Sequence, residues 1–212
     1  MRIDPDAYRF IVFLGSLAVI DTVLLHQPTW GLVLGLLVLA VMAFFRDPKR
    51  QLPLATPVIL SPAEGKVLEI VPNEVFPMAP AGINFTRISI FLSVFNVHIN
   101  RAPVTGQLKQ LTYHPGKFMM AFHPKASLDN EQSHLLFSTP EGTLVGVKQI
   151  AGWVARRVVT RIRPGDAVQA GQSIGLIRFG SRVDVFIPAN AKICVKPGDK
   201  VTDTESILAH LT

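Results

Sequence analysis

Gly180-Ser181 stands between two apolar runs, Gly175-Leu176-Ile177 and Val183-Asp184-Val185-Phe186-Ile187, that both read as strands. By itself the dipeptide signals a bend, because glycine reaches backbone conformations closed to other residues. Serine is also a nucleophile once a neighbouring base takes its proton. His98 has the side chain whose ordinary pKa near 6.5 suits a base at neutral pH, although taken alone it reads more readily as a structural histidine at a strand end. Glu64-Gly65 reads as a hairpin turn. Arg101, Arg156 and Arg157 carry the planar fork that meets a phosphate bidentately, and arginines are also common on exposed strands. His114, His123 and His134 read as surface residues.

The elements that must hold these groups follow Arg50, where short apolar runs are punctuated by Pro and Gly. Residues 58–60, 87–92, 144–147, 158–162 and 183–187 read as strands, and 129–133 as a helical turn. The expected fold is mainly β, an antiparallel domain over residues 51–212. Pro164-Gly165-Asp166-Ala167-Val168 recurs thirty-three residues later as Pro197-Gly198-Asp199-Lys200-Val201. In each copy Pro fixes φ and Gly accepts φ > 0, which sets a tight turn. Two such hairpins around Gly180-Ser181 resemble the barrel-sandwich design of biotinyl and lipoyl carrier domains. A carrier, however, presents a lysine at the hairpin tip, as in Met-Lys-Met, and no such tripeptide occurs.

Residues 1–50 are different. The 212-residue chain is 49% hydrophobic, with a mean hydropathy of +0.35, and the excess is concentrated in Phe10–Leu25 and Trp30–Phe45. Each run is sixteen residues long, about 24 Å as helix against a hydrocarbon core of roughly 30 Å. An apolar helical hairpin turning at Gln27-Pro28 is expected, either dipping into or crossing a bilayer, with a buried hairpin in a soluble core as the alternative. No small-x-small site follows the first run, which argues against a cleaved signal peptide. Arg2 and Arg9 flank one run and Arg46, Lys49 and Arg50 the other, which places both ends on the cytoplasmic side of a cell membrane. A net charge of +6 without a long Lys/Arg run or aromatic interleaving points to an anionic membrane and away from nucleic acid. Cys194, the one cysteine, lies in an apolar run and reads as a small buried hydrophobe. With no second cysteine and no His-rich cluster, neither a disulfide nor a zinc site is expected.

Leu176-Ile177-Arg178-Phe179-Gly180-Ser181-Arg182-Val183-Asp184-Val185 resembles the self-cleavage segment of the short, prokaryotic phosphatidylserine decarboxylases. Phe44-Phe45-Arg46-Asp47-Pro48, Ser61-Pro62-Ala63-Glu64-Gly65-Lys66-Val67 and Asn96-Val97-His98-Ile99-Asn100-Arg101-Ala102-Pro103-Val104 are similar to further blocks of that family. So are Tyr113-His114-Pro115-Gly116-Lys117-Phe118, Asn130-Glu131 and Gln149-Ile150-Ala151-Gly152-Trp153-Val154-Ala155-Arg156-Arg157, all in the family's order.

The resemblance implies a membrane-associated proenzyme that cuts itself between Gly180 and Ser181 into a large chain, 1–180, and a small chain, 181–212, which remain together as a heterodimer. Ser181 would become a pyruvoyl group, the covalent cofactor, whose ketone forms a Schiff base with phosphatidylserine to yield phosphatidylethanolamine and CO₂. A pyridoxal phosphate lysine and its phosphate loop are not recognisable. His98 would take the Ser181 proton. Glu64 stands where the family carries an aspartate, one methylene shorter, and would orient His98. Arg101, Arg156 and Arg157 would meet the lipid phosphate. An archaetidylserine-type decarboxylase is the alternative within the same chemistry, and a membrane-anchored barrel-sandwich carrier or scaffold is the non-enzymatic alternative.

Overall fold

The computed structural model describes residues 1–53, 57–116, 130–152, 157–178 and 181–211. The chain forms two compact units, Met1–Lys49 and Arg50–Thr212.

In the first unit β1 (Arg2–Ile3) pairs antiparallel with β2 (Arg46–Asp47) and closes a helical hairpin. Asp4 starts the first helix by accepting from the Asp6 N–H at 3.0 Å, ahead of Pro5 at the first helical position. A 3-10 turn, α1 (Tyr8–Val19) and a π turn (Ile20–Leu24) form one stretch of 20 residues, long and apolar enough to cross a membrane; α2 (Pro28–Phe44) is shorter. Val12, Phe13, Leu24, Trp30, Leu32 and Leu39 are all exposed. The hairpin therefore turns large apolar side chains outward, the reverse of a soluble helical core.

The second unit consists of β3 (Val58–Leu60), β4 (Gly65–Glu74), β5 (Phe85–Leu92), β6 (Ile99–Arg101), β7 (Gly106–His114), β8 (Gln132–Ser138) and β9 (Leu144–Ala151), followed by β10 (Val158–Thr160), β11 (Ala167–Val168), β12 (Ser173–Ile177), β13 (Ser181–Pro188), β14 (Lys192–Ile193), β15 (Lys200–Val201) and β16 (Ile207–His210). Eight strands make one antiparallel sheet in the order β11-β7-β8-β9-β13-β5-β4-β15, and β10-β12-β6 and β14-β16-β3 make two small sheets. This is the mainly β architecture that the strand-like runs predict. Alternation sends Val183, Val185 and Ile187 of β13 into the main core with Ile88, Ile90, Val145 and Val147. On the opposite face Phe186 meets Phe76, Phe85 and Leu136 in a second, smaller core.

That opposite face also buries charge. Arg182 donates to Asp184 (2.6 Å), Glu69 (2.9 Å) and the Ser89 hydroxyl (2.7 Å), and Arg87 donates to Glu69 (2.7 Å). Removing one partner of such a buried pair strands the other charge, at a cost of about 3–5 kcal/mol.

The strand order reads alike from both ends, and the hydrogen bonds explain why. The Gly165 N–H donates to Leu108 and the Gly198 N–H to Val67, both at 2.8 Å. The Gly171 N–H donates to Ala102 and the Thr204 N–H to Ser61, both at 2.9 Å. A Cβ on Gly65 would overlap the Phe91 carbonyl, and one on Gly106 the Ser138 carbonyl, so both close approaches need glycine. The repeat seen in the two Pro-Gly-Asp turns thus extends to β3-β4-β5-β13-β14-β15-β16 matched with β6-β7-β8-β9-β10-β11-β12. The second copy is inserted whole into the first, between β5 and β13. Residues 93–98 form one junction, and the other falls between β12 and β13.

Three sequence expectations change. Residues 132–133 are strand where a helical turn is expected, because Asn130 and Glu131 are tied to neighbouring strands. Cys194 is exposed, its run lying at the end of a small sheet. His134 is buried against Phe76 and His114, with ring centroids 6.0 and 4.4 Å away, although His114 itself is exposed; His123 lies outside the described residues.

Burial, with repulsion from Lys148 and His114, lowers the His134 pKa to about 3. The unfolded chain binds this proton near pH 6.5 and the folded chain does not, so stability is lost as pH falls below 6.5. The slope is up to about 1.4 kcal/mol per pH unit. Denaturant titrations at pH 7 and pH 5 are expected to show His134→Gln losing about 2 kcal/mol less than the parent over that interval.

Candidate active site

Ser181 is the first residue of β13 and lies opposite Leu92, the last residue of β5, and Ala151, the last of β9. It is wholly buried, and its Oγ is a buried hydroxyl without a hydrogen-bond partner among the described residues. An unpaired buried hydroxyl costs about 1–3 kcal/mol, and such exceptions concentrate where chemistry uses the group. Gly180 lies outside the described residues, as does Arg156.

His98 approaches from the other junction. From Leu92, opposite Ser181, the chain turns at Ser93, whose N–H and Oγ both donate to Asn96 Oδ1 at 3.0 and 2.7 Å, and returns as β6. β6 pairs with β12, and the Ile177 N–H donates to the His98 carbonyl at 3.3 Å. The strand leading to Ser181 therefore runs beside the one leaving His98. The imidazole is buried, with Nδ1 2.9 Å from the Asn96 carbonyl oxygen. A carbonyl only accepts, so in the neutral ring Nδ1 carries the proton and Nε2 the lone pair.

Glu64 reaches the same turn. Its Oε1 accepts from Asn96 Nδ2 (3.1 Å) and the Val97 N–H (3.3 Å), and its Oε2 from Arg50 (2.6 Å). Burial pushes this carboxyl up, but the Asn96, Arg50 and Val97 hydrogen bonds more than offset it, and the pKa is lowered. Glu64 thereby holds the backbone that holds Nδ1.

Beneath Glu64 lies a cluster that local spacing does not announce. Asp203, with no exposed surface, accepts from Arg50 at 2.5 Å and from Arg101 Nε at 2.7 Å. Arg101 also donates to the Gly171 carbonyl at 3.0 Å, so its fork is committed to the fold. Arg50, read above as a membrane-flanking cation, is an internal ion-pair residue.

Asn130 and Glu131 close the other side. Asn130 Nδ2 donates to the Ala151 carbonyl (2.7 Å), the Ala151 N–H to the Glu131 carbonyl (2.9 Å), and the Val158 N–H to Glu131 Oε1 (2.9 Å). Tyr113, Glu131, Arg157 and Val158 line a polar cavity of about 510 Å³ here. Partial burial and the hydrogen-bonded Glu131 carboxylate raise the Tyr113 pKa, while the Arg157 charge opposes them. Below, Gln149 links Asn100 (2.8 Å) to Thr160 (3.1 Å) across three strands. A larger cleft, about 670 Å³, lies at the far end of the sheet around Gly106, Ser138 and Gln169.

The family model described as phosphatidylserine decarboxylase matches residues 37–209. A phosphatidylserine decarboxylase proenzyme of Erythrobacter litoralis is 46% identical over 99% of this chain and 88% of its own length. That of Nitrobacter winogradskyi is 42% identical over 98% and 83%, and that of Nitrosomonas eutropha 43% over 85% and 82%. With a family match over most of its length and relatives this similar, the chain belongs to the phosphatidylserine decarboxylase family.

Proposed function

We propose that the protein is a phosphatidylserine decarboxylase proenzyme, made competent by self-cleavage between Gly180 and Ser181 and acting at a membrane to form phosphatidylethanolamine and CO₂. The observation that carries this reading is the buried Ser181 hydroxyl, unpartnered among the described residues, at the head of a central strand, with a histidine of defined tautomer beside β12, the strand that leads to it. His98 Nε2 takes the Ser181 proton, and Oγ attacks the Gly180 carbonyl carbon. The peptide N–C bond breaks as the O–C bond forms, and the amine takes up a proton. Loss of the Ser181 α-proton then expels the Gly180 carboxylate, ending the large chain and leaving a dehydroalanine that water converts to pyruvoyl and ammonia.

The residues fit such a group. Position 181 is enclosed between Leu92 and Ala151, away from bulk water, and the polar cavity opens beyond Ala151. When formed, the pyruvoyl group supplies an electron sink for the carbanion left by decarboxylation. Arg157 suits the substrate phosphate, Glu131 can accept from an ammonium or hydroxyl, and the core on the other side excludes water. The apolar hairpin anchors the chain with Arg2, Arg9, Arg46 and Lys49 on the cytoplasmic side, and the small chain stays bound as a partner.

Intact mass spectrometry tests the reading. The purified protein is expected as two chains, the smaller beginning at position 181 with a blocked, ketone-bearing terminus, and it releases CO₂ from phosphatidylserine. Decarboxylase activity in a chain intact at that bond would refute it.

A further inference from the structure

The turn that carries His98 also carries an exposed apolar pair. Phe95 is 83% exposed and Val94 46%. The turn does not hold them out by being loose: Asn96 Oδ1 accepts both the Ser93 N–H and Oγ, the Asn96 N–H donates to the Ser93 carbonyl at 3.0 Å, and Glu64 accepts from Asn96 Nδ2. An ordered turn that keeps most of a large aromatic surface in water marks a place for an apolar contact.

Charge beside the turn indicates what covers it. Lys66 lies opposite Phe91 on β5, two residues before the turn begins, and on its other side opposite Lys200 of β15. Both lysines are exposed, and neither has an ion-pair partner among the described residues. Like charges directly opposite on neighbouring strands repel, and the contact becomes favourable when an anionic surface is placed against it. An apolar tip flanked by free cations is the composition of an interfacial docking element.

We propose that Val94 and Phe95 insert into the interfacial layer of an anionic bilayer, with Lys66 and Lys200 against its head groups. The docked turn sets the Ser181 end of the sheet on the lipid surface, so the head group reaches the reactive residue without leaving the membrane. The inference rests on the proposed lipid substrate for its purpose, but not for its geometry.

The test uses the full chain with Cys194→Ser, labelled with bimane either at Phe95→Cys or at Glu141→Cys, an exposed position at the far end of the sheet. It is bound to phosphatidylcholine–phosphatidylglycerol vesicles with brominated acyl chains. Quenching is expected at 95 and not at 141, and Lys66→Glu/Lys200→Glu should reduce it. Equal quenching at the two positions, or a spectral shift at 95 that grows with protein concentration in detergent without vesicles, overturns the proposal, the latter in favour of self-association. Separately, Val94→Ser/Phe95→Ser should raise KM on phosphatidylserine vesicles about tenfold, with self-cleavage and turnover of a monomeric short-chain phosphatidylserine unchanged. An equal loss on both substrates overturns docking. A parent chain inactive on both substrates would instead overturn the decarboxylase reading and leave the quenching result standing.

Discussion

Ser181→Ala is expected to remain one uncut chain with no decarboxylase activity. The serine oxygen is both the nucleophile that takes the Gly180 acyl group and the leaving atom of the elimination, so no slower route replaces it. The variant should nevertheless fold. Position 181 is packed between Leu92 and Ala151, alanine adds no atom, and the hydroxyl it removes has no partner among the described residues. Its stability should equal that of the uncut parent or exceed it by about 1 kcal/mol, since a buried unsatisfied group is removed. Gel analysis, a decarboxylase assay and a denaturant titration check this, and cleavage at 180–181 in the alanine variant would end the proposal.

His98→Ala carries the second large effect. A positioned general base contributes about 10²–10⁴-fold, so maturation should slow by that factor in a time course of chain cleavage. The Asn96 carbonyl fixes the tautomer, leaving Nε2 to accept the Ser181 proton. Glu64→Gln should slow cleavage less, because it weakens the Arg50 contact and the hold on the turn but keeps the base. Glu64→Asp should keep most of the rate. Parent-like cleavage in Glu64→Gln would make Glu64 a residue of the fold alone, while parent-like cleavage in His98→Ala would remove the base assignment.

Much of this was legible in the residues. Val, Ile and Phe runs broken by Pro and Gly gave the strands because period-2 burial leaves a local trace, and the Pro-Gly-Asp turns exposed part of the repeat. The motif blocks carried Ser181, His98 and Glu64. The Arg50–Asp203–Arg101 cluster had no such trace, since Asp203 meets arginines more than a hundred residues away. Arg50 is also a cation just after an apolar run, which reads as a membrane flank. His134 alternates into a face that looks polar in sequence yet is buried, and Cys194 sits in an apolar run too short to be covered. The rest of the repeat was hidden because inserting one copy into the other separates β5 from β13 by nearly ninety residues, and because glycines at 65 and 106 match by backbone contact within dissimilar sequences.

The nested repeat gives the proposed cut a kinetic meaning. Only two covalent links join the inserted copy to its host, and the cut severs the second, leaving β13–β16 as a separate piece with β13 seated between β5 and β9 of the large chain. Nothing in the folded sheet requires that piece to leave. Once unfolded, however, the matured protein must find its complement by collision, whereas the precursor refolds within a single chain. Maturation thus turns a reversible unimolecular folding reaction into a bimolecular reconstitution, and the active form persists by the slowness of its unfolding.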